Sequence, residues 1–274
     1  MTTIALQPDT ADVVAVPPVP VRLRTAVADT IAVQGRNLLG YIRTPQLLVF
    51  STIQPVIFVL LFRYVFGGAI HVPGTDYVDF LMPGIFAQTV VFGAMATAIG
   101  LSTDLNSGLV ERFRSLPIAR SAFLTGRTTA DLARNVVVVG LMCVVGFAVG
   151  WRVHTDVPSF VGALLLMLAF GYCMSWVFAT VGLIARDAEA AQAASFPILA
   201  PLIFASSAFV PVSSMPGWLQ GFARHQPVSA VTTAVRGLTL GGATTGDVLT
   251  AIAWCVGIVA VAAPIAVRRY RRTV

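Results

Sequence analysis

Asp104-Leu-Asn-Ser-Gly108-Leu-Val-Glu111-Arg112-Phe113-Arg114-Ser-Leu116-Pro117-Ile-Ala-Arg120, running on to Gly126-Arg127, is the stretch that decides the fold. An apolar run ends before it near Leu101, and another begins after it near Asn135. Only 11% of the chain is charged, yet Arg112, Arg114, Arg120 and Arg127 all fall here. A polar, arginine-bearing connection between two apolar runs of spanning length belongs on the cytoplasmic side of a membrane. Its pattern also suits an amphipathic helix lying at the interface. Two readings account for it equally: arginines that only fix orientation, and a surface that receives a cytosolic partner.

The composition leads to the same class. The chain has 274 residues, 57% of them apolar, with a mean hydropathy of +0.83. A soluble domain is about half apolar and roughly a quarter charged, so this is a polytopic membrane protein with one bundle and no second folded domain. All 18 basic residues are arginine. A phosphate-binding GxxxxGK[ST] loop needs a lysine, so the chain carries no ordinary ATP site of its own. The net charge of +6 is held in short loops and tails, where it sets orientation, and no basic face remains for nucleic acid. Cys143, Cys173 and Cys255 each sit in an apolar run and read as small buried hydrophobes, not as a disulfide or metal framework.

Residues 1–20 hold four prolines and no basic residue. A cleaved signal needs a positive start, so this segment reads as a disordered cytoplasmic tail. In residues 21–43, Leu23, Val27, Ile31, Leu38 and Ile42 recur at steps of four and seven, which predicts an amphipathic helix on the inner membrane face. Six spans of about 20 residues or more follow at 46–66, 80–101, 132–151, 158–185, 190–211 and 248–267. Arg186-Asp187-Ala-Glu189 makes a tight hairpin of the fourth and fifth. With the amino terminus inside, fourteen arginines, Arg134 among them, fall on the cytoplasmic side; Arg63, Arg152, Arg224 and Arg236 fall outside. Both termini are then cytoplasmic. Pro197 and Pro201 should bend or break the fifth span. Gly146 and Gly150 allow close helix approach inside the bundle. The loop 212–247 carries Trp218 and Phe222, then Pro227 and an apolar repeat up to Leu238; it should form two short helices capping the bundle from the outer leaflet.

Catalytic chemistry is missing from this pattern. No predicted span carries an acid near its middle, since Asp131, Glu189 and Asp247 fall at ends. A proton-coupled carrier needs such groups along its path. No hydrolase or metalloprotease motif occurs, and the three histidines are not at metal-ligand spacing. The polar groups left at membrane depth are mild: Gln54, Gln88, Thr89, Ser206 and Ser207. With Phe92, Phe204 and Phe209 they could line an apolar cavity with a few hydrogen-bonding groups, as a site for amphiphiles requires. Helix–helix hydrogen bonding explains each of them singly as well.

Specific residues then point to a family. Gly108, Glu111, Arg112, Arg114-Ser-Leu116-Pro117 and Gly126-Arg127 resemble the loop between spans two and three of the ABC-2 export permeases. Pro216, Trp218, Pro227, Arg236-Gly237 and Gly241 resemble the segment before that family's last span. The likeness covers about residues 22–270 and is strongest for the daunorubicin-resistance type. Gln226 departs from it, standing where asparagine commonly precedes the proline; so does 104–106, which lacks the usual basic residue ahead of the glycine.

The resemblance implies an all-α integral membrane domain over 21–270. It would have six transmembrane helices, an N-terminal interfacial helix, a cytoplasmic coupling helix at 104–120 and a re-entrant outer cap before the last span. It also implies a plasma-membrane exporter subunit that works as a dimer, with a second copy or a sibling permease. Two separate ATPase subunits would bind the ATP and magnesium, so the chain itself is not an enzyme and needs no cofactor. Phe113, Leu116 and Pro117 would enter the ATPase, with Glu111, Arg112 and Arg114 making charge-assisted contacts. Spans two and five would line a path by Gln88, Phe92, Phe204, Ser206, Ser207 and Phe209. Trp218, Phe222, Pro227 and Arg236 would belong to the outer gate. The cargo expected is a drug, antibiotic or lipid. A lipid-linked glycan, a carrier acting alone and a non-transporting assembly factor are the alternatives.

Overall fold

The computed structural model describes residues 30–31, 34–35, 45–70, 72, 74–107, 120–242 and 244–273, and among them every regular element is helical. The expected tail, nearly all of the expected surface helix and the centre of the 104–120 stretch lie outside the described residues.

Helix α1, Pro45–Leu60, continues as a six-residue π-helical turn, Leu61–Phe66. Then come α2, Tyr77–Asn106; α3, Arg120–Val149; α4, Val157–Gly182; and α5, Ala188–Phe204. Two short helices follow, α6, Gly217–His225, and α7, Pro227–Leu240, before the last, α8, Thr245–Thr273. Among the described residues, four segments are long and apolar enough to cross a membrane: α2, Phe123–Val149 of α3, α4, and Thr245–Tyr270 of α8. Thr52–Phe66 and Ala188–Phe204 are apolar but shorter.

The pattern of apolar residues sorts the helices by depth. From Leu81 to Val91 every residue of α2 is buried, as expected of a helix that is apolar all round. It touches α1, α3, α4, α5 and α7 and is the axis of the bundle. Helix α5 buries a single stripe, Ala191, Ser195, Leu199 and Ile203, at steps of four, and packs mainly on α2. Helix α8 lies against α4 and α7 and leaves Leu249, Ile252, Val256 and Val261 exposed, a surface suited to lipid. Helix starts follow local chemistry. Asp187 Oδ1 accepts from Ala190 N at 2.7 Å, and prolines stand in the first turns of α4 and α7, where a missing N–H is harmless. Gly241, at φ 95°, closes α7, a left-handed conformation that glycine adopts without strain.

Three expectations change. The 104–127 stretch is not all loop, because α2 runs to Asn106 and α3 starts at Arg120. The polar residues that end a hydropathy window here lie on one face of each helix and meet across the interface, so neither helix needs to stop. The fifth span does not reach residue 211; α5 ends at Phe204. Pro201 has no N–H to continue the ladder, and the last turn closes with Ala205 N donating to Pro201 O at 3.0 Å. Asp131 and Arg134 are not end residues but stand near the middle of the 30-residue α3.

Candidate functional site

One stripe of α2 and one of α3 face each other with polar side chains. On α2 the positions are Gly93, Thr97, Gly100 and Asp104, at steps of four, three and four; on α3 they are Arg127, Asp131 and Arg134, at four and three. That spacing keeps each set on one side of its helix. Arg127 pairs with Asp104, lying over Gly100, where any side chain would collide with the guanidinium. Thr97 Oγ1 donates to Asp131 Oδ2, and Asp131 Oδ1 stands 4.0 Å from Arg134 Nη2. The same Nη2 donates to Gly93 O at 2.5 Å and to Asn135 Oδ1 at 3.4 Å. Asp131 and Thr97 are 0% exposed, Asn135 2% and Arg134 6%. A buried charge is tolerated only when paired and hydrogen-bonded, and this seam supplies both.

At the Gly93–Arg134 end of the seam, where α1 comes alongside, lies a cavity of about 120 Å³. Arg134, Asn135 and Gln54 give it polar wall; Phe92, Met95 and Val138 give it apolar wall. A larger cleft of about 470 Å³ opens between α4, α5 and α8, lined by Val177, Ile184, Ile198, Trp254 and Val261. Its wall is almost wholly apolar, and none of the path residues expected from the sequence lines it. Among the described residues, no three His, Cys, Asp or Glu stand close enough to hold a metal ion.

A second polar cluster secures the break after α5. Ending a helix among apolar side chains strands its last carbonyls, which must find donors inside the protein. Gln226 Nε2 donates to Ala205 O at 2.9 Å. Arg236 Nη2 donates to Ser207 O at 2.6 Å and to Ala208 O at 3.2 Å, while its Nε reaches Phe80 O at 2.8 Å. Tyr77 Oη donates to Phe209 O at 3.1 Å. Ser207 N donates to Ser229 Oγ at 2.9 Å. The Arg236 guanidinium also lies 3.5 Å above the Phe80 ring, adding a cation–π contact. The turn presses on α2 at Gly84, where a Cβ would meet the Ala208 backbone.

The sequence-predicted residues therefore fall in separate places. Phe92 lines the small cavity. Gln88 is 1% exposed, and neither of its amide atoms has a hydrogen-bond partner among the described residues. Ser206 and Ser207 belong to the broken turn; Ser206 Oγ donates to Ile203 O at 2.6 Å and accepts from Ala208 N at 3.0 Å. Phe209 stacks on Phe62 with centroids 4.6 Å apart, and Phe204 and Phe58 flank it. Of the cap residues, Trp218 is 81% exposed and Phe222 half exposed, Pro227 opens α7, and Arg236 binds the break. Glu111, Arg112, Phe113, Arg114, Leu116 and Pro117 lie outside the described residues.

Sequence reading missed Asp131, Thr97, Asn135 and the Asp104–Arg127 pair as one seam, and Tyr77, Gln226 and Ser229 as partners of the break. The recurring four-and-three spacing of polar residues on both sides of the 104–120 stretch was the available signal for the seam. Nothing local signals the break's partners, which come from distant segments.

Residues 29–240 match the model of a family described as ABC-2 type transporter. The chain is 36% identical over 247 residues to the daunorubicin resistance ABC transporter permease protein DrrB1 of Streptomyces coeruleorubidus, covering 90% of this chain and 87% of that one. It is 28% identical over 251 residues to the probable doxorubicin resistance ABC transporter permease protein DrrC of Mycobacterium tuberculosis, covering 91% and 90%. A putative transport permease, ycf38, of Pyropia yezoensis is 26% identical over 71% of this chain and 68% of its own length. With membrane-length apolar helices, a buried polar seam and a match along most of its length, the chain belongs to the ABC-2 type transporter family, among permeases of the daunorubicin-resistance type.

Proposed function

We propose that this chain is the membrane-spanning subunit of an exporter that moves an amphiphilic small molecule out of the cell, driven by a separate ATPase. The observation that carries the reading is likeness along nine-tenths of the chain to a permease named for daunorubicin resistance. In this reading α1 and α5 join the four longer helices as six membrane helices, with both termini cytoplasmic. Two copies, or one copy and a sibling permease, work together. Glu111, Arg112, Phe113, Arg114, Leu116 and Pro117 meet the ATPase, which holds ATP and magnesium. Closure of the ATPase pair moves the α2–α3 hairpin, and Trp218, Phe222, Pro227 and Arg236 take part in the outer gate. Gln88, Phe92, Phe204, Ser206, Ser207 and Phe209 are the proposed path residues. Arg236, Ser206 and Ser207 would act there by holding the break in α5, since their hydrogen bonds are spent on it.

The buried carboxylate of Asp131 is a feature that a proton-coupled carrier would share. Here its two oxygens face Thr97 and Arg134 within a helix–helix seam, which favours a structural duty. The deciding experiment replaces Phe113 and Leu116 together by Asp and follows ATP hydrolysis and daunorubicin efflux with the co-purified ATPase. We expect normal membrane insertion, with stimulation and efflux reduced at least about tenfold, because burying two charges in a groove shaped for apolar anchors is prohibitive. Unchanged efflux would remove this stretch from the coupling surface. Efflux by the wild type without any ATPase would overturn the exporter reading itself.

A further inference from the structure

The cleft of about 470 Å³ between α4, α5 and α8 lies on the outside of the bundle, since Ile184, Val261 and Ile265 line it and are exposed. We propose that it seats one acyl chain of an anionic phospholipid whose phosphate lies beside Arg268, at the carboxyl end of α8. The proposal goes beyond the exporter reading and needs only that α8 spans the membrane.

The wall sets the chemistry of the occupant. Its one hydroxyl among the lining residues, on Thr180, donates to Trp176 O at 3.1 Å and is spent within α4. A drug that carries ring carbonyls and hydroxyls would leave them unpaired there, at a cost; a hydrocarbon loses nothing. Shape narrows the choice further. From Trp254 to Ile265 the α8 wall runs about 16 Å at about 1.5 Å per residue, and one leaflet of hydrocarbon is about 15 Å deep. The volume spread over that length gives a mean cross-section of roughly 30 Å². A helix with its side chains is about 10 Å wide and needs more than twice this area, whereas a single extended chain, with carbons in contact at about 4 Å, fits. At Gly257 an added Cβ would meet nothing within 4 Å, so the cleft has room at its centre.

Filling the cleft does not choose among lipids, because a tail is as apolar in the bilayer as against the protein. The headgroup decides. Trp254, Ile258, Val261 and Ile265 follow one side of α8. Three and four residues further on, Arg268 and Arg269 stand to either side of that line, and both are exposed. Arg271 and Arg272 follow in the chain. On α4 the wall ends at Ile184, two residues before Arg186. Leu183 packs in one cluster with Ala266 and Tyr270, so both walls end at the same membrane face. Of the acids described at this end, Asp187 caps α5 through Ala190 N and Asp104 pairs with Arg127, while Glu189 is exposed. Arginines just beyond a span attract anionic lipid, and a guanidinium binds phosphate through charge-assisted hydrogen bonds.

The test places the full chain in phosphatidylcholine nanodiscs with a small fraction of phosphatidylglycerol whose acyl chains are brominated, bromine being a quencher of tryptophan fluorescence. The signal of Trp254 is the difference between the wild type and Trp254→Phe. Brominated phosphatidylglycerol should quench it at a fraction at least about tenfold lower than brominated phosphatidylcholine, since each arginine near the surface is worth about fivefold; added salt should shrink this preference. Arg268→Gln should reduce it about fivefold. Gly257→Leu, which fills the cleft without a clash, should abolish it with no loss of melting temperature, and this variant decides the matter if Arg268→Gln does not insert. Equal quenching by the two lipids in the wild type overturns the proposal. So does a preference that persists in a folded Gly257→Leu, which would be general attraction to the arginines and not a seat for the chain, or one unchanged in Arg268→Gln. Relief of the quenching by daunorubicin assigns the cleft to cargo, and a wild-type dimer that Gly257→Leu turns to monomer assigns it to a second copy; either result overturns the lipid assignment. All of these outcomes leave the exporter reading standing.

Discussion

Arg236 is a single side chain that holds three backbone carbonyls, those of Phe80, Ser207 and Ala208. Arg236→Leu should lower stability by about 3 kcal/mol or more, since each buried acceptor left unpaired costs about 1–3 kcal/mol. Lysine should recover little of this, because one ammonium cannot reproduce the planar fork. Thermal unfolding in detergent measures both. At the seam, Asp131→Asn alone should destabilise by roughly 3–5 kcal/mol, as expected when one member of a buried pair is removed. The double change Asp131→Asn, Arg134→Gln should cost less than the sum of the two single changes. A double-mutant cycle by the same assay decides whether the residues couple. Asp104→Asn, at a partly buried pair whose side chains are 13% and 19% exposed, should cost less, about 1–3 kcal/mol, because Arg127 loses its charged partner.

Two elements owe their shape to a chain feature and a neighbour together. Helix α5 stops because Pro197 and Pro201 weaken its ladder. It can stop only because α7, Gln226 and Tyr77 bring donors to the carbonyls so released. The α2–α3 pair is joined in the same way, by glycines on one helix and long polar side chains on the other. Gly100→Leu, which places a side chain against the Arg127 guanidinium, should push that guanidinium off Asp104 and break their pair while leaving each helix apolar enough to insert. The expected result is normal membrane targeting with a markedly lower melting temperature. A variant as stable as the wild type would mean that the seam does not need this close approach.

Across the whole molecule, α2 is the buried axis and α8 the peripheral helix. If the chain works as proposed, native mass spectrometry of the complex should find two permease chains with two ATPase chains; a lone chain with activity would contradict it. The sequence by itself determined the class, the helical content, the presence of two short helices within 212–247, and the family, because hydropathy and residue motifs act locally along the chain. Two helix ends and the whole polar seam were decided by tertiary structure. A hydropathy window counts Asp131 and Arg134 against a span, but a helix facing a partner can keep them at its middle, since the partner's Thr97 and backbone replace the water they lose. Likewise, no property of residues 205–209 alone says that a helix may end there. That depends on Arg236, about thirty positions later in the chain, arriving where the free carbonyls are, and only the packed bundle brings it there.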